Sequence, residues 1–121
     1  MNAATAISGS GPAYIYYDME VRKIDPLNVP EEIKQEYIQR LTKAAERVGF
    51  DPQTAINLSV STTSSSIRLI AEAKLPPIEL RKQVTSKGGT TEAALKVLVK
   101  GGSWEQAAEA AKRRAGELSK E

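Results

Sequence analysis

The chain has 121 residues, 40% of them apolar and 5% aromatic, and its 17 Lys+Arg against 15 Asp+Glu leave a net charge of +2. That length suits one compact domain, and so balanced a charge makes no electrostatic case for nucleic acid. The absence of cysteine and histidine excludes a thiol nucleophile, a disulfide framework and thiolate or imidazole metal ligation. No apolar run reaches membrane-spanning length and no signal-peptide pattern opens the chain, so a cytoplasmic protein with no membrane partner is expected.

With few aromatic residues and no alternating β-branched window, the pattern predicts an all-α chain of five or six helices joined by short loops. The first helix is expected from Gly11-Pro12, with Tyr14, Tyr17, Val21 and Ile24 on one face and a break at Asp25-Pro26. A second helix restarts at Asn28-Val29-Pro30. Its stripe is Ile33, Tyr37, Leu41, Ala44, Ala45 and Val48, and Gly49 stops it. Asp51 as N-cap and Pro52 behind it open a third helix that runs to about Ala73.

The middle of that third helix carries Ser59, Ser61, Thr62, Thr63, Ser64, Ser65 and Ser66. Ile56, Val60, Ile67 and Ile70 keep a helical spacing through it, which favours a buried helix of small residues over a low-complexity linker. Such a helix lets another approach closely, in the core or at a subunit interface. Leu75-Pro76-Pro77 is a turn, Ile78 to Val84 a short helix, and Thr91 to Lys100 another, ended by Gly101-Gly102. Ser103 and Gln106 form a capping-box pattern for the last helix, whose inner face is Trp104, Ala108, Ala111, Ala115 and Leu118.

Two segments concentrate glycine and hydroxyl groups: Ser8-Gly9-Ser10-Gly11-Pro12, and Thr85-Ser86-Lys87-Gly88-Gly89-Thr90-Thr91. The first is not a dinucleotide fingerprint, because Tyr14 occupies the third glycine position and no strand precedes it. Taken alone it reads as a helix-start turn. The second would expose backbone N–H groups and hydroxyls at a helix N-terminus, which suits a carboxylate or other small anion. The competing reading is a tight joint in which Thr90 or Thr91 only caps a helix. The function is expected to depend on what the two segments face together.

These segments, in this order, resemble the C-terminal domain of pyrroline-5-carboxylate reductases. The likeness rests on Thr5-Ala6-Ile7-Ser8-Gly9-Ser10-Gly11-Pro12-Ala13-Tyr14, on Ala44 to Pro52, on the run from Glu79 to Thr91, and on the tail Ala107 to Leu118. The resemblance implies a helical bundle like the C-terminal domains of 6-phosphogluconate-dehydrogenase-like enzymes, in an interlocked homodimer that some members build into decamers. It implies reduction of 1-pyrroline-5-carboxylate to proline, with NADPH or NADH held by a separate Rossmann domain. Ser86, Lys87, Gly88, Gly89, Thr90 and Thr91 would bind substrate, and Thr91 would be the hydroxyl that supplies a proton near the ring nitrogen.

Residues 1–121 are then expected to be the dimerisation and substrate-binding domain, lacking the Rossmann half, with no cofactor site and no turnover of their own. Two further departures stand out: about twenty extra residues around Arg22 to Thr42, and Lys87 in place of the family's usual proline. They leave room for an alternative, a non-catalytic helical protein that keeps the scaffold for association or for binding a small carboxylate.

Overall fold

The computed structural model describes residues 2–85 and 89–120. Its elements are α1 (Asn2–Ala4), a π-helical segment (Thr5–Gly9), α2 (Gly11–Arg22), α3 (Glu31–Arg47), α4 (Pro52–Ala73), α5 (Pro77–Gln83), α6 (Thr90–Val99) and α7 (Trp104–Leu118). No strand occurs among the described residues. Because α1, the π segment and α2 follow one another as a single helical run, the architecture is six helical rods, as expected for an all-α chain.

Most helix ends obey their local signals. The Asp51 carboxylate accepts from the Thr54 N–H at 3.2 Å, and this hydrogen bond holds the Asp51 carboxyl below its ordinary range. Ser103 and Gln106 make both bonds of the capping box, at 3.1 and 2.9 Å. Gly49 and Gly101 stop α3 and α6 with φ of +115° and +88°, which glycine adopts without steric cost. The stripe expected on α3 is found, with Tyr37, Leu41, Ala44, Ala45 and Val48 buried and Ile33 packed at the edge of the core.

Expectations are corrected on three helices, α2, α7 and α4. α2 begins at Gly11 with Pro12 in its first turn, as expected, but it does not follow a free loop. The helical run is already under way at Asn2, and the Ser10 N–H continues it by reaching back to the Thr5 carbonyl at 3.0 Å. The inner face of α2 is also rotated from the one expected. Ala13, Tyr14, Ile15, Tyr16 and Met19 are buried, whereas Tyr17 is half-buried and Val21 is 57% exposed. Neighbours on several sides bury α2 over a broad arc, and a single stripe cannot describe that. In α7, Trp104, Ala107, Ala108 and Ala111 are buried, but Leu118 projects at the frayed end.

The third correction concerns α4. Its buried positions are Ala55, Ser59, Thr62, Thr63, Ser66 and Ile70, while Ile56 and Val60 are 45% and 42% exposed. Ser59, Thr62, Thr63 and Ser66 therefore share the inner face with Ala55 and Ile70, whereas Ile56 and Val60 lie outside it. Small side chains let α2 and α3 come close: a Cβ on Gly11 would lie 3.2 Å from the Thr62 methyl and 3.4 Å from Leu41 Cδ1. The Ser66 hydroxyl donates back to the Thr62 carbonyl, 2.6 Å away. Ser59 Oγ and Thr63 Oγ1 are buried without a hydrogen-bond partner among the described residues, at a cost of about 1–3 kcal/mol each.

The aromatic residues join the rods. The Tyr37 ring stacks on Trp104 with centroids 5.7 Å apart, and Tyr14 meets the same indole at 5.9 Å. The Arg40 guanidinium lies 4.2 Å above the Trp104 ring and pairs with Asp18 at 3.1 Å. Asp18 also accepts from the Tyr37 hydroxyl at 2.8 Å and pairs with Arg22 at 2.7 Å, tying α2 to α3 across the Lys23–Pro30 connection. Buried hydroxyls of Tyr14 and Tyr16 donate to the carbonyls of Ala6 and Ser66, both at 2.7 Å.

Burial raises the Tyr14 and Tyr37 hydroxyls above the ordinary tyrosine range, Tyr37 with a further contribution from the Asp18 charge. Burial pushes Tyr16 up to about 12 against the opposing effect of its Ser66 hydrogen bond. Folding thus favours the protonated form of all three. Their contribution is complete below the ordinary value of 10.0 and is lost as pH rises through the folded values. The melting temperature should hold steady up to about pH 10 and then fall, with tyrosinate absorbance appearing together with loss of helix. Ionisation of all three near pH 10 in a still-helical protein would contradict this assignment.

Candidate functional site

The π-helical segment sets the site's geometry. A π turn inserts one extra residue into the helical ladder, a feature that recurs at functional positions. Here it lies directly before Ser10, at the junction with α2. Ser10 is completely buried, with its Oγ 3.0 Å from Thr91 Oγ1 and 3.2 Å from Thr90 Oγ1. The two glycine-hydroxyl segments of the sequence thus meet side chain to side chain across 81 residues of chain.

Thr90 and Thr91 are the first two residues of α6, and Gly89 is its N-cap. Glycine brings no side chain to cap the helix. The first-turn N–H groups and the positive end of the helix dipole favour a carboxylate. Thr91 is 6% exposed and Thr90 half-buried, so the hydroxyl pair runs from the core to the edge of the surface.

Both α5 and the start of α6 are held against the Asn2–Arg22 rod. On one side, Arg81 of α5 pairs with Glu20 at 2.9 Å and sits 5.9 Å from the Tyr17 ring centroid. The Thr85 hydroxyl closes the end of α5 on the Arg81 carbonyl at 2.6 Å. On the other side, Ser10 holds Thr90 and Thr91. Of the six residues expected at the site, Gly89, Thr90 and Thr91 lie at the start of α6, and Ser86, Lys87 and Gly88 fall outside the described residues. Ser10 was not among the six. Its segment reads locally as a turn, and the only sequence hint was the second cluster of hydroxyl and glycine residues.

Beside this site, an open groove of about 430 Å³ runs along the outer face of α6 and α7, lined by Gly89, Lys96, Arg113 and Glu117 among others. It does not include Ser10, Thr90 or Thr91. Among the described residues no cluster of acidic side chains could hold a metal ion, and no helix is long and apolar enough to cross a membrane.

Fold and site together define an all-α domain in which two hydroxyl-bearing segments meet at the start of a helix. Residues 35–118 match the family described as pyrroline-5-carboxylate reductase dimerisation, and the chain belongs to that family. It is 38% identical over 98 residues to a pyrroline-5-carboxylate reductase 2 of Bacillus subtilis, covering 81% of this chain and 28% of that protein. Over 124 residues it is 35% identical to the pyrroline-5-carboxylate reductase of Pseudomonas aeruginosa, covering 100% of this chain and 38% of the relative. The reductase of Synechocystis is 32% identical over 123 residues, 99% of this chain and 39% of that protein. The chain thus spans between about a quarter and two fifths of the length of these relatives. No solved structure gives a significant match.

Proposed function

We propose that this chain forms the dimerisation and substrate-binding half of a cytoplasmic pyrroline-5-carboxylate reductase, which reduces 1-pyrroline-5-carboxylate to proline. The observation that carries this reading is the contact of Ser10 with Thr90 and Thr91 at the glycine-capped start of α6. In this reading the substrate carboxylate rests on N–H groups of Gly89, Thr90 and Thr91, with Ser86, Lys87 and Gly88 completing the cradle. The five-membered ring then places its nitrogen beside the Thr91 hydroxyl. NADPH or NADH, held by a separate nicotinamide-binding domain, supplies the hydride to the imine carbon. Thr91 gives its hydroxyl proton to the ring nitrogen, a role that a chain without histidine assigns to a hydroxyl.

The outer face of α4 supports association. Ile56 and Val60 are 45% and 42% exposed on one flank of α4 and Leu69 is 46% exposed on the opposite flank, with the exposed residues Asn57, Ser61, Ser64, Ser65 and Arg68 between them. Two such faces can approach closely and remove apolar surface from water, at about 25 cal/mol per Å². We assign this face to the homodimer.

Two measurements test the reading. Isothermal titration should show proline binding to the wild-type domain. Thr91→Ala should weaken it about tenfold or more, the effect of losing a hydrogen bond to a charged amine. Equal affinities for the two proteins would remove Thr91 from the site. In light scattering, the wild type should have the mass of a dimer and Val60→Glu that of a monomer. Burying an unpaired carboxylate in the interface costs about 3–5 kcal/mol. A Val60→Glu protein that stays dimeric would place the interface elsewhere.

A further inference from the structure

We propose that Ser10 is a positioning residue which links Thr91 to Thr90 as a proton relay, restoring the proton that Thr91 gives to substrate. The inference rests on the reading of Thr91 as the proton donor and extends it to a residue that touches no substrate.

Proton counting supports the relay. Each hydroxyl carries one proton, and the cluster contains two contacts, Ser10 with Thr91 at 3.0 Å and Ser10 with Thr90 at 3.2 Å. Ser10 can donate to only one neighbour, so the other must donate to Ser10. If Ser10 donates to Thr91, Thr90 donates to Ser10, and the Thr91 proton points away from the cluster toward a ligand. If all three rotate, the outward proton belongs to Thr90. Only one threonine at a time therefore offers its hydroxyl proton to substrate. While Thr91 faces the ring nitrogen, Thr90 serves the carboxylate through its N–H alone.

Burial gives the relay its direction. Ser10 is wholly buried and Thr91 is 6% exposed, so a bound ligand would leave Thr91 no open path to water. Thr90, half-buried, is the end of the cluster nearest solvent. As hydride reaches the imine carbon and the C=N π bond opens, the nitrogen takes the Thr91 proton and becomes an amine. Thr91 takes the Ser10 proton, Ser10 takes that of Thr90, and Thr90 takes one from solvent water. Three hydroxyls remain, and the net change is one hydride and one solvent proton added across C=N. The π turn before Ser10 fits this role, because it places a serine hydroxyl between two residues that belong to a different rod.

The test uses the complete protein that carries this domain, assayed with NADPH and 1-pyrroline-5-carboxylate. Thr91→Ala should lower kcat by about 100- to 10,000-fold. Ser10→Ala should lower kcat by about 10- to 100-fold with KM within twofold of wild type, the scale of a mispositioned donor. The Ser10→Ala/Thr91→Ala double variant should be no slower than Thr91→Ala alone, since Ser10 acts only through Thr91. Thr90→Val, which leaves Ser10 in place, should reproduce the Ser10→Ala loss, and Ser10→Thr should restore turnover. Ser10→Ala turnover at the wild-type rate, or losses that multiply in the double variant, would overturn the relay while leaving Thr91 as donor. An unchanged kcat in Thr91→Ala, or a complete protein without reductase activity, would instead overturn the underlying reading.

Discussion

The contact between Ser10 and Thr91 is the constraint on which the site depends, and one helical run supplies nearly everything that enforces it. The Asn2–Arg22 rod carries Ser10 at its π junction. One residue later, Gly11 lets the rod settle against Leu41 and Thr62. Further along, Tyr14 packs on Trp104, Asp18 gathers Arg22, Tyr37 and Arg40, and Glu20 holds Arg81 of α5. The same rod thus holds both Arg81 of α5 and the first turn of α6. The two hydroxyl contacts can then be held in place, because the side chains that make them sit on packed helices.

Local signals in the sequence were legible wherever one turn of chain decides the outcome. Asp51-Pro52, Gly49 and the Ser103–Gln106 box act through bonds spanning at most a few residues, and each end of helix lies where its chemistry puts it. The α3 stripe was legible too, because that helix buries one face and solvates the other. The failures share a cause. On α2, polar-tipped tyrosines are buried because Ala6 and Ser66 offer carbonyls to their hydroxyls, while Val21 is left outside. On α4, close packing selects small residues for the inner face, so a reading that equates apolar with buried inverts the helix. The partnership of Ser10 with Thr91 spans 81 residues. No periodicity carries such information, and the resemblance between the two hydroxyl-glycine segments was the only trace of it.

The outward apolar residues of α4 acquire a meaning once the family is known. The α4 helix buries Ser59, Thr62, Thr63 and Ser66 within the chain and keeps Ile56, Val60 and Leu69 exposed, which is the basis for assigning it to the proposed homodimer. It also leaves Ser59 and Thr63 hydroxyls unpartnered among the described residues, a cost set against close approach of the rods. The middle of α3 is held by Asp18 and Trp104 through Tyr37 and Arg40, and not by the site itself.

The most direct test of this account is a crystal structure of the dimer with proline bound. The account predicts the carboxylate within hydrogen-bond distance of the first-turn N–H groups of α6, the ring nitrogen beside Thr91 Oγ1, and Ser10 still bonded to both threonines. Proline seated instead in the outer groove of α6 and α7, or with its nitrogen turned away from Thr91, would contradict it.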